Sequence, residues 1–119
     1  MNMNVTHIVD TIKKANRDER LRIQARIVLA FKEVERLKID FLKIDDGLEQ
    51  MILFGSLVKK DIGYINFDID IGLRSKKYYQ LVGRALDSDF KVDVVDLDSV
   101  NERIKDEILK NGKVIYEKG

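Results

Sequence analysis

The sequence predicts an α/β or α+β fold built around a small sheet. Three observations carry this. Apolar residues recur at helical spacing through the first third of the chain. A short, wholly apolar run follows at residues 51–54. Residues 65–74 then alternate between apolar side chains and polar or small ones. With 119 residues, the chain has room for one domain and one core.

The elements follow in order. Val5, Ile8, Val9 and Ile12 predict a short amphipathic helix. Ile23, Ile27, Ala30, Phe31, Val34 and Leu37 share one face of a second, longer helix, with Arg and Glu on the other face. Asp45, Asp46 and Gly47 signal a turn. Residues 51–54 read as a buried strand, which Gly55-Ser56 ends abruptly. Ile65, Phe67, Ile69, Ile71 and Leu73 alternate with Asn66, Asp68, Asp70, Gly72 and Arg74, which predicts a strand over 65–74. Ser75 is placed to cap a helix carrying Tyr78, Val82, Ala85 and Leu86. Phe90, Val92 and Val94 alternate with Lys91, Asp93 and Val95 in a third strand. The tetrad Ser99 to Glu102 fits a capping box, and Asn111-Gly112 fits the end of the helix it opens. Val114, Ile115 and Tyr116 suggest a last short strand.

Composition narrows the chemistry. There is no cysteine, which excludes disulfides and thiolate metal sites. The single histidine, His7, argues against a His-rich zinc site and a Ser-His-Asp triad; it reads as a surface residue and is assigned no role. Any metal must be held by oxygen, which points to Mg²⁺ or Mn²⁺. The formal net charge is +1 and the charges are mixed along the chain, without the basic excess of a duplex-DNA binder. No apolar run is long enough to span a membrane, and the polar start (Asn2, Asn4, Thr6) does not resemble a signal peptide. A cytoplasmic location is expected.

The chemistry-bearing residues fall into one ordered pattern. Asp68 and Asp70, one residue apart on a strand, point to the same side and stand about 6–7 Å apart. Like charges that close repel unless a cation lies between them, and a divalent ion in phosphoryl transfer is a frequent solution. Gly55-Ser56 stands between a buried strand and a helix start. There the glycine lets backbone approach a phosphate, and free N–H groups favour an anion. Ser56 can donate a further hydrogen bond, and Lys59 or Lys60 adds positive charge. Among Asp93, Asp96 and Asp98, strand parity selects Asp93 as the third carboxylate, because Asp96 shares the parity of Val92 and Val94 and Asp98 lies at the next helix start. Tyr78, Tyr79 and Tyr116 read as packing residues.

Leu53-Phe54-Gly55-Ser56, then the run from Phe67 through Asp68, Asp70 and Gly72 to Leu73, then Val92 to Leu97 around Asp93, resemble the minimal nucleotidyltransferase family of the DNA polymerase β-like superfamily. The ending from Ile108 through Gly112 to Tyr116 is also similar, so the likeness runs from about Glu49 to Tyr116. The chain departs from the family pattern in three respects. Eleven residues separate Ser56 from Asp68, one more than is commonest; Phe67 replaces a small polar residue; and Lys60 stands where glycine is frequent. The resemblance implies a small mixed sheet with helices packed on one face. It divides the single domain, residues 1–119, into N-terminal helices over 1–44 and a catalytic core over 45–119. It implies Mg²⁺ (or Mn²⁺) on Asp68, Asp70 and Asp93, with the triphosphate of an NTP held at Gly55 and Ser56. The implied activity is transfer of NMP, AMP from ATP in some members, to a hydroxyl of a partner protein. The implied partner is a HEPN-domain toxin, for which this chain would be the antitoxin. The alternative is a non-catalytic antitoxin that neutralises the same partner by occlusion, with the N-terminal helices as docking surface.

Overall fold

The computed structural model describes residues 3–119, so Asn2 and the side chain of Asn4 lie outside the described residues. The chain runs α1 (Met3–Ile44), β1 (Gln50–Phe54), α2 (Ser56–Lys59), β2 (Ile69–Arg74), α3 (Tyr78–Leu86), β3 (Val92–Asp96), α4 (Glu102–Asn111) and β4 (Lys113–Glu117). The two helices expected near the N-terminus are one continuous helix of 42 residues. No glycine or proline interrupts residues 5–44, and the polar segment between the two apolar stretches consists mostly of good helix formers. It is braced by an Arg22–Glu19 ion pair at 3.0 Å.

The four strands form one mixed sheet in the order β3-β2-β1-β4. β1 pairs antiparallel with β2 and β4, and β2 pairs parallel with β3 through the α3 crossover. Alternation along the strands assigns the faces. Met51, Leu53, Ile69, Ile71 and Leu73 pack with Ala30, Val34, Leu37 and Phe41 of α1 and with Leu81 and Ala85 of α3. This is the main core, with α1 and α3 on one face of the sheet; the helices are not all on that face, because α4 packs on the other. On the opposite face, Ile52 packs with Leu97 and with Ile108 of α4 in a smaller cluster. Gly72 admits that contact, since a Cβ there would lie 3.0 Å from Leu97 Cδ2.

Several boundaries differ from expectation. β2 begins at Ile69, not at residue 65, because its partners end there: Ile69 pairs with Val92 at the start of β3, and Phe54 at the end of β1 pairs with Asp70. Phe67 and Phe90 lie outside the strands and pack on each other, ring centroids 6.2 Å apart. Ser75 does not cap α3, whose N-cap is Lys77. Instead Ser75 Oγ accepts from Lys77 N–H (2.9 Å) and donates to Asp45 (2.5 Å), while Asp45 also accepts from Gly47 N–H (2.9 Å). The α4 cap is Asn101, not Ser99: its side chain accepts from Ile104 N–H at 2.9 Å. Tyr78 and Tyr116 pack against the core as expected, whereas Tyr79 is exposed.

Candidate functional site

The face opposite the main core carries the chemistry. Phe54 and Asp70 are register partners between β1 and β2, and Asp70 and Asp93 are register partners between β2 and β3. Asp68 immediately precedes β2. The three carboxyl-bearing positions therefore meet where β1 ends and β2 and β3 begin. Burial pushes the Asp70 carboxyl above its usual range; the charges of Asp93 and Asp68 push the same way, and Lys91 offsets part of this. Lys91 itself, an exposed lysine, lies 3.6 Å from the half-buried Asp68. Among the described residues, no three carboxylate or imidazole side chains stand together closely enough to hold a metal ion as they are placed.

Gly55 closes this corner. Its φ of 77° and ψ of −151° lie in a region that L side chains rarely adopt. A Cβ at this position would stand 2.1 Å from Asp70 Oδ2. The glycine thus lets the turn into α2 pass directly over the Asp70 carboxylate. Its carbonyl accepts from Val58 N–H (3.2 Å) and Lys59 N–H (3.0 Å), which holds the turn as the first coil of a short helix. Lys60 ends that helix in the left-handed region at φ 58°, and its N–H bonds to the Ser56 carbonyl. Glycine would take that left-handed conformation at no steric cost, whereas lysine is held there under mild strain.

Asp96 and Asp98 stand at the far end of the sheet. Asp96 accepts from Asp98 N–H (3.0 Å) and Ser99 Oγ (2.9 Å), and Asp98 pairs with Arg74 at 3.1 Å. Both are occupied in ordering the loop into α4.

Sequence reasoning missed one feature. A cleft of about 460 Å³ opens between α2 and α4, with Gly55 and Lys59 on one wall and Arg103, Glu107 and Asn111 on the other. No local signal marks the α4 residues, because only the packing of Ile108 beneath the sheet turns that face toward α2. A corner with three carboxylates, a backbone turn passing over one of them and a cation-flanked cleft beside it suits a phosphorylated, metal-bound ligand.

The family model of polymerase beta nucleotidyltransferases matches residues 35–119. The chain belongs to that family. Within it, this minimal nucleotidyltransferase is similar to solved toxin-antitoxin structures. One is a toxin-antitoxin with AMP-PNP, at 26% identity and a TM-score of 0.57, the match covering 71% of this chain and 73% of the other. Another is a mutant of the toxin-antitoxin MntA-HpeT, at 26% identity and a TM-score of 0.54, covering 71% of this chain and 72% of the other. No curated protein matches the chain. The family model begins within α1, at residue 35, so the long N-terminal part of that helix lies outside the matched module. Among the described residues, no helix is long and apolar enough to cross a membrane.

Proposed function

We propose that this nucleotidyltransferase is the antitoxin of a HEPN-domain toxin and transfers AMP from ATP to a hydroxyl of that toxin. The observation that carries the reading is the corner itself: Asp70 lies between Asp68 and Asp93, with the Gly55 backbone against its carboxylate. The likeness to a toxin-antitoxin structure with AMP-PNP supports both the nucleotide and the partner.

The donor set fits Mg²⁺ or Mn²⁺. It is wholly oxygen, its charges repel one another, and a glycine leaves open the space beside one carboxylate. Asp68, Asp70 and Asp93 would hold the ion, which when bound supplies charge neutralisation on the phosphates. The chain's own groups do the rest. Gly55, Ser56 and Lys59 orient the triphosphate. Asp93, exposed on edge strand β3, orients the acceptor hydroxyl and takes its proton. The acceptor oxygen bonds to the α-phosphorus, the bond from that phosphorus to the bridging oxygen breaks, and pyrophosphate leaves with the electron pair. Such catalysis is mostly positioning and electrostatics.

The test mixes the chain, Mg²⁺ and ATP with a HEPN-domain partner protein and measures intact masses. The expected result is a partner mass increase equal to AMP, absent with Asp68→Asn. A tight complex with unchanged mass under every nucleotide would favour the second reading, occlusion without transfer. One observation favours that reading: Val5, Ile8, Val9 and Ile12 leave an apolar stripe exposed on the overhanging part of α1.

A further inference from the structure

The α2–α4 cleft is lined by Gly55, beside the proposed phosphate turn, and by two cations, Lys59 and Arg103. Neither cation makes an ion pair among the described residues. The one acidic side chain in the lining, Glu107, already accepts from Asn111 Nδ2 at 2.7 Å. Charge balance gives these cations a task. The corner carries three carboxylates, of which only Asp68 has a lysine partner. A triphosphate brings several more negative charges, and those farthest from the carboxylates need compensation from the protein. The guanidinium of Arg103 suits this role, since its planar fork matches two phosphate oxygens at once. Apolar side chains such as Val58 and Ile104 also line the cleft, and their low local polarity strengthens a charge pair formed against them.

We propose that Arg103, working with Lys59 across the cleft, holds the terminal phosphates of the NTP and the pyrophosphate it becomes, so that α4 forms the second wall of the triphosphate site. This rests on the nucleotidyltransferase reading above and adds a positioning residue that the Gly55-Ser56 motif does not contain.

The test measures binding by calorimetry in Mg²⁺ for the intact chain, using AMP-PNP, tripolyphosphate and AMP as probes. Arg103 is exposed on α4, so Arg103→Gln should leave the melting temperature unchanged. It should weaken AMP-PNP and tripolyphosphate by about tenfold, the scale of one lost charge-assisted contact, and leave AMP unaffected. Arg103→Lys should recover part of the loss, and Lys110→Gln, on the same helix but outside the cleft, should change nothing. Equal binding of AMP-PNP by wild type and Arg103→Gln overturns the proposal while leaving the nucleotide reading intact. Equal weakening of AMP and AMP-PNP also overturns it, because Arg103 would then serve the nucleoside. A wild-type chain that binds none of the probes defeats the nucleotide reading itself, and this inference with it.

Discussion

Burial and the charges of Asp93 and Asp68 raise the pKa of Asp70, so the fold prefers its protonated form. An unfolded aspartate titrates at about 3.9. The stability contributed by protonated Asp70 is therefore complete below that value and is lost as pH rises through the higher folded value. Near neutral pH, without divalent cations, the ionised carboxylate works against folding. Asp70→Asn should raise the melting temperature in EDTA at neutral pH, with the gain shrinking toward about pH 4. Melts across that range check it, and a lowered melting temperature at neutral pH would mean that the carboxylate is stabilised by something other than a bound cation. A group that costs stability and yet sits on a rigid strand is characteristic of function rather than packing.

Among the elements, the attachment of α1 is the most informative. Asp40 of α1 accepts from Arg84 Nε of α3 at 2.7 Å, and Arg26 lies 3.7 Å over the Phe90 ring. Glu33 is 6% exposed, accepts from Arg36 Nε (2.7 Å) and Nη2 (3.0 Å), and also accepts from the Ser88 hydroxyl in the loop before β3. Burial pushes its carboxyl up, but the Arg36 and Ser88 hydrogen bonds outweigh that and hold it below the usual range. Its contribution is present above the unfolded value of about 4.3 and is lost as pH falls through the depressed folded value. Glu33→Ala should cost about 1–2 kcal/mol at neutral pH, and the cost should fade in acid, as urea titrations at two pH values would measure.

This polar joint was not legible in the sequence, because its partners are 55 residues apart and nothing local distinguishes Glu33 from other glutamates on α1. What was legible came from periodicity. The apolar run at 51–54 and the alternation around Ile69, Ile71 and Leu73 gave the centres of β1 and β2, since burial on one face imposes the period directly. Strand ends were misplaced because they are set by where a partner stops, as Val92 stops β2 at Ile69. Caps were misplaced by competition among neighbouring polar residues: Asn101 took the role that Ser99 also had the chemistry to fill. At the site, Gly55, Asp70 and Asp93 were visible as a motif, whereas the α4 wall of the cleft was not, because it depends on long-range packing.

At the scale of the whole molecule, the radius of gyration is 18.7 Å and the longest dimension 69 Å, against about 13–14 Å for the radius of a compact chain of this length. The excess is α1. Core packing along it begins at Ile23 and runs through Ala30, Val34, Leu37 and Phe41, while residues 5–18 are all exposed. Val5, Ile8, Val9 and Ile12 continue the core-facing stripe of the same helix beyond the last surface available to cover it.

One geometric helix is therefore two thermodynamic objects. Amides from about Ile27 to Phe41 can meet deuterated water only when α1 separates from the sheet, so their exchange should follow the global unfolding equilibrium. Amides at residues 9–18 are held by helical hydrogen bonds alone, and an isolated helical segment of that length is marginal in water. Hydrogen exchange of the free chain should show protection climbing by orders of magnitude between residues 18 and 30, with no break in the helix to mark the step. Uniform protection along α1 would mean that a surface covers the overhang in solution. Whatever eventually settles on those first turns would then be registered as slowed exchange there, with the sheet and its carboxylates left as they were.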